Sequence, residues 1–272
     1  AFGVIVLREQ LDQSIRDPEA VPDQLGVPLL GSIPRQKGED IQLGLLDPKS
    51  ELYESYFALY TSLTFASDQG VPKPLTFTSS RPEEGKSLSA VALSHILGKQ
   101  GKRTLLIDAD MRHSGMSKYL TTPDGRGLSH YLSGDDDWQS MVEKADEFDF
   151  DMLSSGRKPP NAGELLATDR LSELLEQVGQ VYDKIIIDGP PVLGLADAPL
   201  LAKHSANIVM VMEANRGTRR MIAASIDRLE GAGGRVIGAL ITKLDARNAS
   251  YGYGYGYGYG YGYGKDEENE PD

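Results

Sequence analysis

"PLTFTSSRPEEGKSLSAVALSHILGKQGKRTLLIDAD", residues 74–110, decides the fold. PLTFTSS alternates like a strand, and RPEEG is rich in turn formers. SLSAVALSHILGKQ carries apolar residues at helical spacing and ends near Gly101, and RTLLIDAD is apolar enough for a buried strand. The pattern continues outward. DKIIIDGPP, SANIVMVME and GRVIGALITKLD read as further apolar strands, and AGELLATDRLSELLEQVG (162–179) and TRRMIAASIDRLEGAGG as helices. Upstream, LGVPLLGSIP reads as a short strand and ELYESYFALYTSLTFAS as an amphipathic helix. FDMLSSG reads as one more strand, and residues 115–150 as short helical pieces and polar loops. Strands that alternate with helices predict an α/β fold, a parallel β-sheet flanked by helices on both faces.

The bulk properties set limits. The chain has 272 residues, 40% of them apolar, which suits one sizeable α/β domain. It has no cysteine, so it has neither a disulfide framework nor a thiolate metal site. The formal charge of −12 argues against nucleic acid as a partner, because that needs a basic footprint. No apolar run reaches the ~18 residues of a membrane-crossing helix. AFGVIVL, residues 1–7, is apolar and leads into REQLDQSIRD. On composition alone it reads as a buried strand or helix start, a signal remnant, or the cut end of a membrane helix.

SSRPEEGKS, residues 79–87, sits between a strand and a helix, the setting a phosphate-binding loop requires. There, backbone N–H groups of the loop and of the helix start can face phosphate oxygens. Gly85 permits the tight turn, Lys86 is expected to be exposed in the empty loop and can set its ammonium on phosphate, and the Ser87 hydroxyl can ligate Mg²⁺. Ser80 stands where the common motif has its first glycine, so the loop is a variant. A bare Gly-Lys-Ser arises easily by chance, and the context is what selects phosphate binding. LLIDAD brings Asp108 and Asp110 to a strand end, 22 residues after Lys86, and IIIDGPP does the same for Asp188. Each aspartate alone could simply cap a loop or helix. Three at strand ends, where open α/β sheets bind ligands, converge on one Mg-nucleotide.

Together these stretches resemble the deviant Walker P-loop ATPases, which include the partition ATPases and the bacterial tyrosine kinases. Several features select the kinases. Arg112 follows DADM, in the family's Asp-x-Asp-x-Arg pattern, and GLSHYLSG (127–134) resembles its Gly-Leu-Ser stretch. SSGRKPPNAGELL (154–166) and DGPPVLGLADAPLLA, with Asp197, resemble two more family segments. The resemblance implies ATP and Mg²⁺ as cofactors. Arg81, Pro82, Glu83, Glu84, Gly85, Lys86, Ser87 and Leu88 would form the nucleotide loop. Ser87 would be the direct metal ligand, and Asp110 and Asp188 would hold the ion's water shell. Lys86, Asp108, Asp110 and Asp188 would be the catalytic group, with Asp108 taking the tyrosine proton or exchanging that role with Asp110. The resemblance further implies the kinase domain of a polysaccharide co-polymerase at the cytoplasmic face of the bacterial inner membrane. Its partners would be neighbouring copies in a homo-oligomer, its own transmembrane and periplasmic region, a tyrosine phosphatase and the polysaccharide export machinery. AFGVIVL then reads as the end of the second membrane helix. Three segments follow: 1–50 juxtamembrane, 51–249 kinase, 250–272 tail.

The chain also departs from that pattern. Glu54, Phe57 and Tyr60 stand where the family carries Glu-x-x-Arg-x-x-Arg for ring assembly, so both arginines are missing. TKLD (242–245) resembles the guanine-reading Asn-Lys-x-Asp of GTPases, but the family uses ATP.

From Ser250 the composition collapses to YGYGYGYGYGYGYG followed by KDEENEPD. Such a segment has almost nothing to bury and is expected to be disordered. Glycine at every second position keeps the phenols accessible. Tyr251, Tyr253, Tyr255, Tyr257, Tyr259, Tyr261 and Tyr263 are the expected phosphoacceptors, and the family works in trans. Two rival readings stay open, a partition-type ATPase switch and a non-enzymatic nucleotide-binding assembly module. A tyrosine tail beside the phosphate loop sets the kinase reading apart from the first, and the lost arginines keep the second in play.

Overall fold

The computed structural model describes residues 15, 17–36, 41–120, 125–145 and 147–245. AFGVIVL and the seven tail tyrosines lie outside the described residues. Among those described, no helix is long and apolar enough to cross a membrane.

Eight strands form one sheet: β1 (Leu29–Pro34), β2 (Leu75–Ser79), β3 (Thr104–Asp108), β4 (Val142–Lys144), β5 (Asp151–Leu153), β6 (Lys184–Asp188), β7 (Asn207–Glu213) and β8 (Arg235–Leu244). Their spatial order is β1-β8-β7-β2-β6-β3-β5-β4. Every neighbouring pair is parallel except β4 with β5, an antiparallel edge whose three residues, Val142 half-buried and Glu143 and Lys144 exposed, leave no sequence signal. The helices are α1 (Val21–Leu25), α2 (Ile41–Leu46), α3 (Glu51–Phe65), α4 (Lys86–Lys99), α5 (Leu128–Leu132), α6 (Ala162–Leu166), α7 (Arg170–Val181), α8 (Asp197–His204) and α9 (Arg219–Glu230). The single helix expected over 162–179 is thus two. It breaks at Thr168–Asp169, where the Thr168 hydroxyl turns back onto the Leu165 carbonyl.

Central strands β2, β3 and β6 are buried on both faces, which explains their unbroken apolar runs. On one face Leu75, Phe77, Leu106 and Ile186 pack against α3 and α4 through Tyr56, Leu59, Val91 and Leu93. On the other, Ile185 and Ile187 meet Leu171 and Leu174 of α7, while Ile208 and Met210 meet Ile222 and Ile226 of α9. Helix α3 starts at Ser50, whose hydroxyl accepts the Tyr53 N–H at 3.0 Å. It places Phe57 and Tyr60 side by side, ring centroids 5.6 Å apart, at the positions of the missing arginines.

Strands β2 and β6 are direct neighbours and β6 pairs with β3, so their C-terminal ends meet in the middle of one sheet edge. In that register Asp108 lies directly opposite Asp188.

Gly98 in α4 gives a stability test. Glycine inside a helix ordinarily costs ~1 kcal/mol relative to alanine, so Gly98→Ala would stabilise an isolated helix. Here an added Cβ would overlap the Asp149 carbonyl oxygen, which is backbone and cannot swing aside. The close approach outweighs propensity, and Gly98→Ala is expected to destabilise the protein by about 1–3 kcal/mol in urea unfolding. An unchanged or raised midpoint would show that α4 does not pack this closely on residues 147–150.

Candidate functional site

The loop between β2 and α4 runs from Ser80 to Gly85 and is folded tightly. Glu83 and Gly85 both take left-handed backbone, with φ of 67° and 98°. Gly85 is required twice over. Its φ disfavours any side chain, and a Cβ would lie 3.0 Å from Thr242 Cγ2. The Glu84 side chain turns inward, and its Oε2 accepts the Arg81 N–H at 2.9 Å. Its other oxygen has no partner, and burial pushes the carboxyl up to about 7. Arg81, Pro82 and Glu83 are exposed, and Leu88 lies half-buried in the first turn of α4. Among the described residues, nothing accepts the backbone N–H groups of Glu84, Gly85, Lys86 or Ser87. Four free amides in succession at a helix start form an anion-binding concavity, the observation that fits the loop to a polyphosphate.

Lys86 was expected to be exposed in the empty loop. It is instead buried, 5% exposed. Its ammonium lies 2.9 Å from Asp110 Oδ2 and 3.3 Å from Asp188 Oδ1. Unscreened carboxylates at the strand ends draw the flexible side chain inward. Burial works against the charge, but Asp188 and Asp110 more than offset it and hold the ammonium above its ordinary range. Ser87 donates to Asp188 Oδ2 at 2.6 Å, so hydroxyl and carboxylate already stand together where a hard cation needs oxygen ligands. Asp108 sits behind them and accepts the Asp110 N–H at 3.1 Å. Burial, reinforced by the facing Asp188 charge, pushes the Asp108 carboxyl up to about 7. Burial also raises Asp188, though Lys86 and Ser87 partly counter it. A carboxyl near 7 can both hold and release a proton at neutral pH.

A cleft of about 710 Å³ opens beside this group. Lys86, Ser87 and Asp110 lie at its floor, and Ile33, Leu52, Tyr56 and Tyr119 give it an apolar wall. Three stretches that the sequence marks separately meet at Asp197. Arg112 donates to both oxygens of Asp197, Nε at 2.5 Å and Nη2 at 3.1 Å. Gly163 packs so close that a Cβ would stand 3.2 Å from Asp197 Oδ1. The bidentate pair ties the loop after β3 to the start of α8. Thr242 and Lys243, which the sequence marks only through the likeness of TKLD to a base-reading motif, contact the phosphate loop from β8. Among the described residues no cluster of three or more His, Asp or Glu side chains forms a self-contained metal site.

A family model described as an AAA domain matches residues 77–229, over half the chain. Tyrosine-protein kinase YwqD of Bacillus subtilis is 31% identical over 211 residues, covering 77% of this chain and 89% of that protein. Tyrosine-protein kinase etk of Escherichia coli K12 is 29% identical over 263 residues, covering 89% of this chain. The chain spans only 36% of that relative's length. The solved kinase domain of the Escherichia coli tyrosine kinase ETK matches with a TM-score of 0.76 at 30% identity, over 87% of this chain and 98% of that one.

Lys86 holds the buried carboxylates together, which changes what its removal does. Lys86→Met is expected to destabilise the protein by about 3–5 kcal/mol at pH 8, because it leaves buried charge uncompensated. The penalty should shrink at pH 5.5. Asp108 and Asp188 have folded pKa values raised above their unfolded ones, so the native state binds more protons between about pH 4 and 7, and stability falls as pH rises through that window. Removing the ammonium pushes both values further up and steepens the fall. Urea unfolding of both proteins at the two pH values checks this, and a pH-independent difference would contradict it.

Proposed function

The chain belongs to the bacterial tyrosine-protein kinase family, and on that premise we propose that it is an ATP-dependent autokinase that phosphorylates tyrosines of its own C-terminal tail. The observation that carries the proposal is the convergence of Lys86, Ser87 and three aspartates on a loop of unpartnered amides. Bound Mg-ATP supplies the phosphoryl group. Everything else is positioning and charge, which is most of what phosphoryl transfer asks of a protein.

The roles follow from placement. The amides of Glu84, Gly85, Lys86 and Ser87 bind phosphate, and the Lys86 ammonium leaves its carboxylates to neutralise the transferred group. The Ser87 hydroxyl would hold Mg²⁺ directly, and Asp110 and Asp188 would hold its water shell. Asp108, with its carboxyl near 7, takes the proton from the acceptor phenol. The apolar wall beside Tyr56 and Tyr119 keeps water from competing with that phenol.

The acceptors are Tyr251, Tyr253, Tyr255, Tyr257, Tyr259, Tyr261 and Tyr263 of a neighbouring copy. Many equivalent tyrosines on one tether raise the local acceptor concentration. Each phosphate adds about −1.5 to −2 charge, so full modification adds roughly −10 to −14 to a tail that already carries five acids. Crowded tails then repel, and the assembly loosens. In the longer protein this cycle would govern exopolysaccharide or capsule polymerisation and export at the cytoplasmic face of the inner membrane. It would act beside a transmembrane co-polymerase region and an opposing tyrosine phosphatase.

Incubation with Mg-ATP is expected to place phosphate on Tyr251 through Tyr263, read by peptide mass spectrometry. Asp108→Asn should slow that transfer at least ~10²-fold while nucleotide still binds. No phosphate on the tail would replace the kinase reading with a partition-type ATPase switch or an assembly module. Full activity in Asp108→Asn would remove Asp108 as the base.

A further inference from the structure

Residues 242–245, TKLD, stand at the end of the last strand, and three of their side chains are engaged by the protein itself. Asp245 pairs with Arg35, Oδ1 to Nε at 3.5 Å. Lys243 turns toward the phosphate loop, and its ammonium donates to the Glu83 carbonyl at 2.7 Å and to Glu213 Oε2 at 2.9 Å. Thr242 donates to the Glu84 carbonyl at 2.7 Å. Two consecutive carbonyls of the loop are thus held from β8.

A trans peptide unit is planar, and its C=O and N–H point in opposite directions. Anchoring the Glu83 carbonyl on β8 therefore aims the Glu84 N–H away from β8. Anchoring the Glu84 carbonyl does the same for the Gly85 N–H. These two amides are among those that nothing in the described protein accepts. The left-handed backbone at Glu83 and Gly85 supplies the turns that this arrangement needs. Lys243 is itself left-handed, at φ 54°, a costly conformation for a lysine unless its surroundings enforce it. Glu213 enforces it. Only 11% of its side chain is exposed, and it gathers Lys243, Arg216 at 2.8 Å and Arg35 at 3.6 Å. Arg216 and Lys243 hold its carboxyl below the usual range although partial burial pushes it up.

We propose that Thr242 and Lys243 are positioning residues for nucleotide. They clamp the carbonyls of Glu83 and Glu84 so that the Glu84 and Gly85 amides face the phosphates, and Glu213 holds the clamp in place. The proposal rests on the reading of this loop as the nucleotide site, but not on the identity of the phosphate acceptor.

The test uses the full 272-residue chain and a fluorescent, non-hydrolysable ATP analogue with Mg²⁺. Lys243→Met and Thr242→Val are expected to weaken analogue affinity about tenfold or more each, with thermal midpoints close to wild type in the absence of nucleotide. Lys243→Arg, which can still reach two acceptors, should recover most of the Lys243→Met loss. Lys118→Met is the control for charge. Lys118 lines the same cleft, but among the described residues its side chain pairs only with the exposed Glu83 side chain, at 3.7 Å, and anchors no backbone. Its removal should change affinity less than threefold. Equal losses in Lys118→Met and Lys243→Met would assign the effect to charge and overturn the clamp. So would unchanged affinity in Lys243→Met and Thr242→Val, or a loss that merely tracks a lowered midpoint. Wild-type chain that binds the analogue tightly yet makes no phosphotyrosine with ATP would sink the kinase reading and leave the clamp result standing.

Discussion

One ammonium and three carboxylates share a buried space at the ends of β2, β3 and β6, and the rest of the site depends on that imbalance. Parallel register sets Asp108 opposite Asp188 on adjacent strands. Two like charges side by side in a dry environment cannot both stay ionised at ordinary carboxylate pKa values. Lys86 relieves part of the repulsion and Ser87 part, and a proton near neutrality on Asp108 relieves more. The arrangement is complete in itself yet short of positive charge. A divalent cation would remove that shortage and free Lys86 for phosphate. The same three-strand junction therefore stabilises the empty protein moderately and the loaded one better.

The phosphate loop is shaped from within and from β8. Glu84 fixes it from within by taking the Arg81 N–H, and Gly85 lets it approach β8 without a clash. Thr242 and Lys243 reach it from β8 itself. Arg112 and Asp197 link the aspartate loop to α8, with Gly163 leaving room for the pair. Backbone amides can only bind an anion well if they are oriented in advance, since orienting them during binding would consume the affinity. Thr242 and Lys243, which hold loop carbonyls from β8, would provide that orientation here.

Much of the fold was legible because the informative residues are local. Apolar runs such as LLID and IIID are buried on both faces of a parallel sheet, so their composition alone announces strands. Glycines and polar turns punctuate them. The break between α6 and α7 was not legible, because AGELLATDRLSELLEQVG keeps helical spacing through Thr168 and Asp169. The β4 edge was missed because three residues carry no periodicity. The burial of Lys86 was misjudged for a different reason. A lysine beside glycine and serine reads as exposed until the two carboxylates that pull it in are placed within 3.3 Å.

The sequence by itself determined the α/β class, the position of the phosphate loop and the three aspartates, since each is written in contiguous residues whose chemistry does not depend on distant neighbours. It also determined the Tyr/Gly segment, which is compositional. Only the tertiary structure decided which groups share the site. Residue 86 meets residues 110 and 188, residue 112 meets 197, and residues 83 and 84 meet 243 and 242. Those contacts arise from strand order, which places β6 between β2 and β3 and β8 beyond β7. Strand order follows from how helices cover both faces of the whole sheet, and no single segment of the chain encodes it.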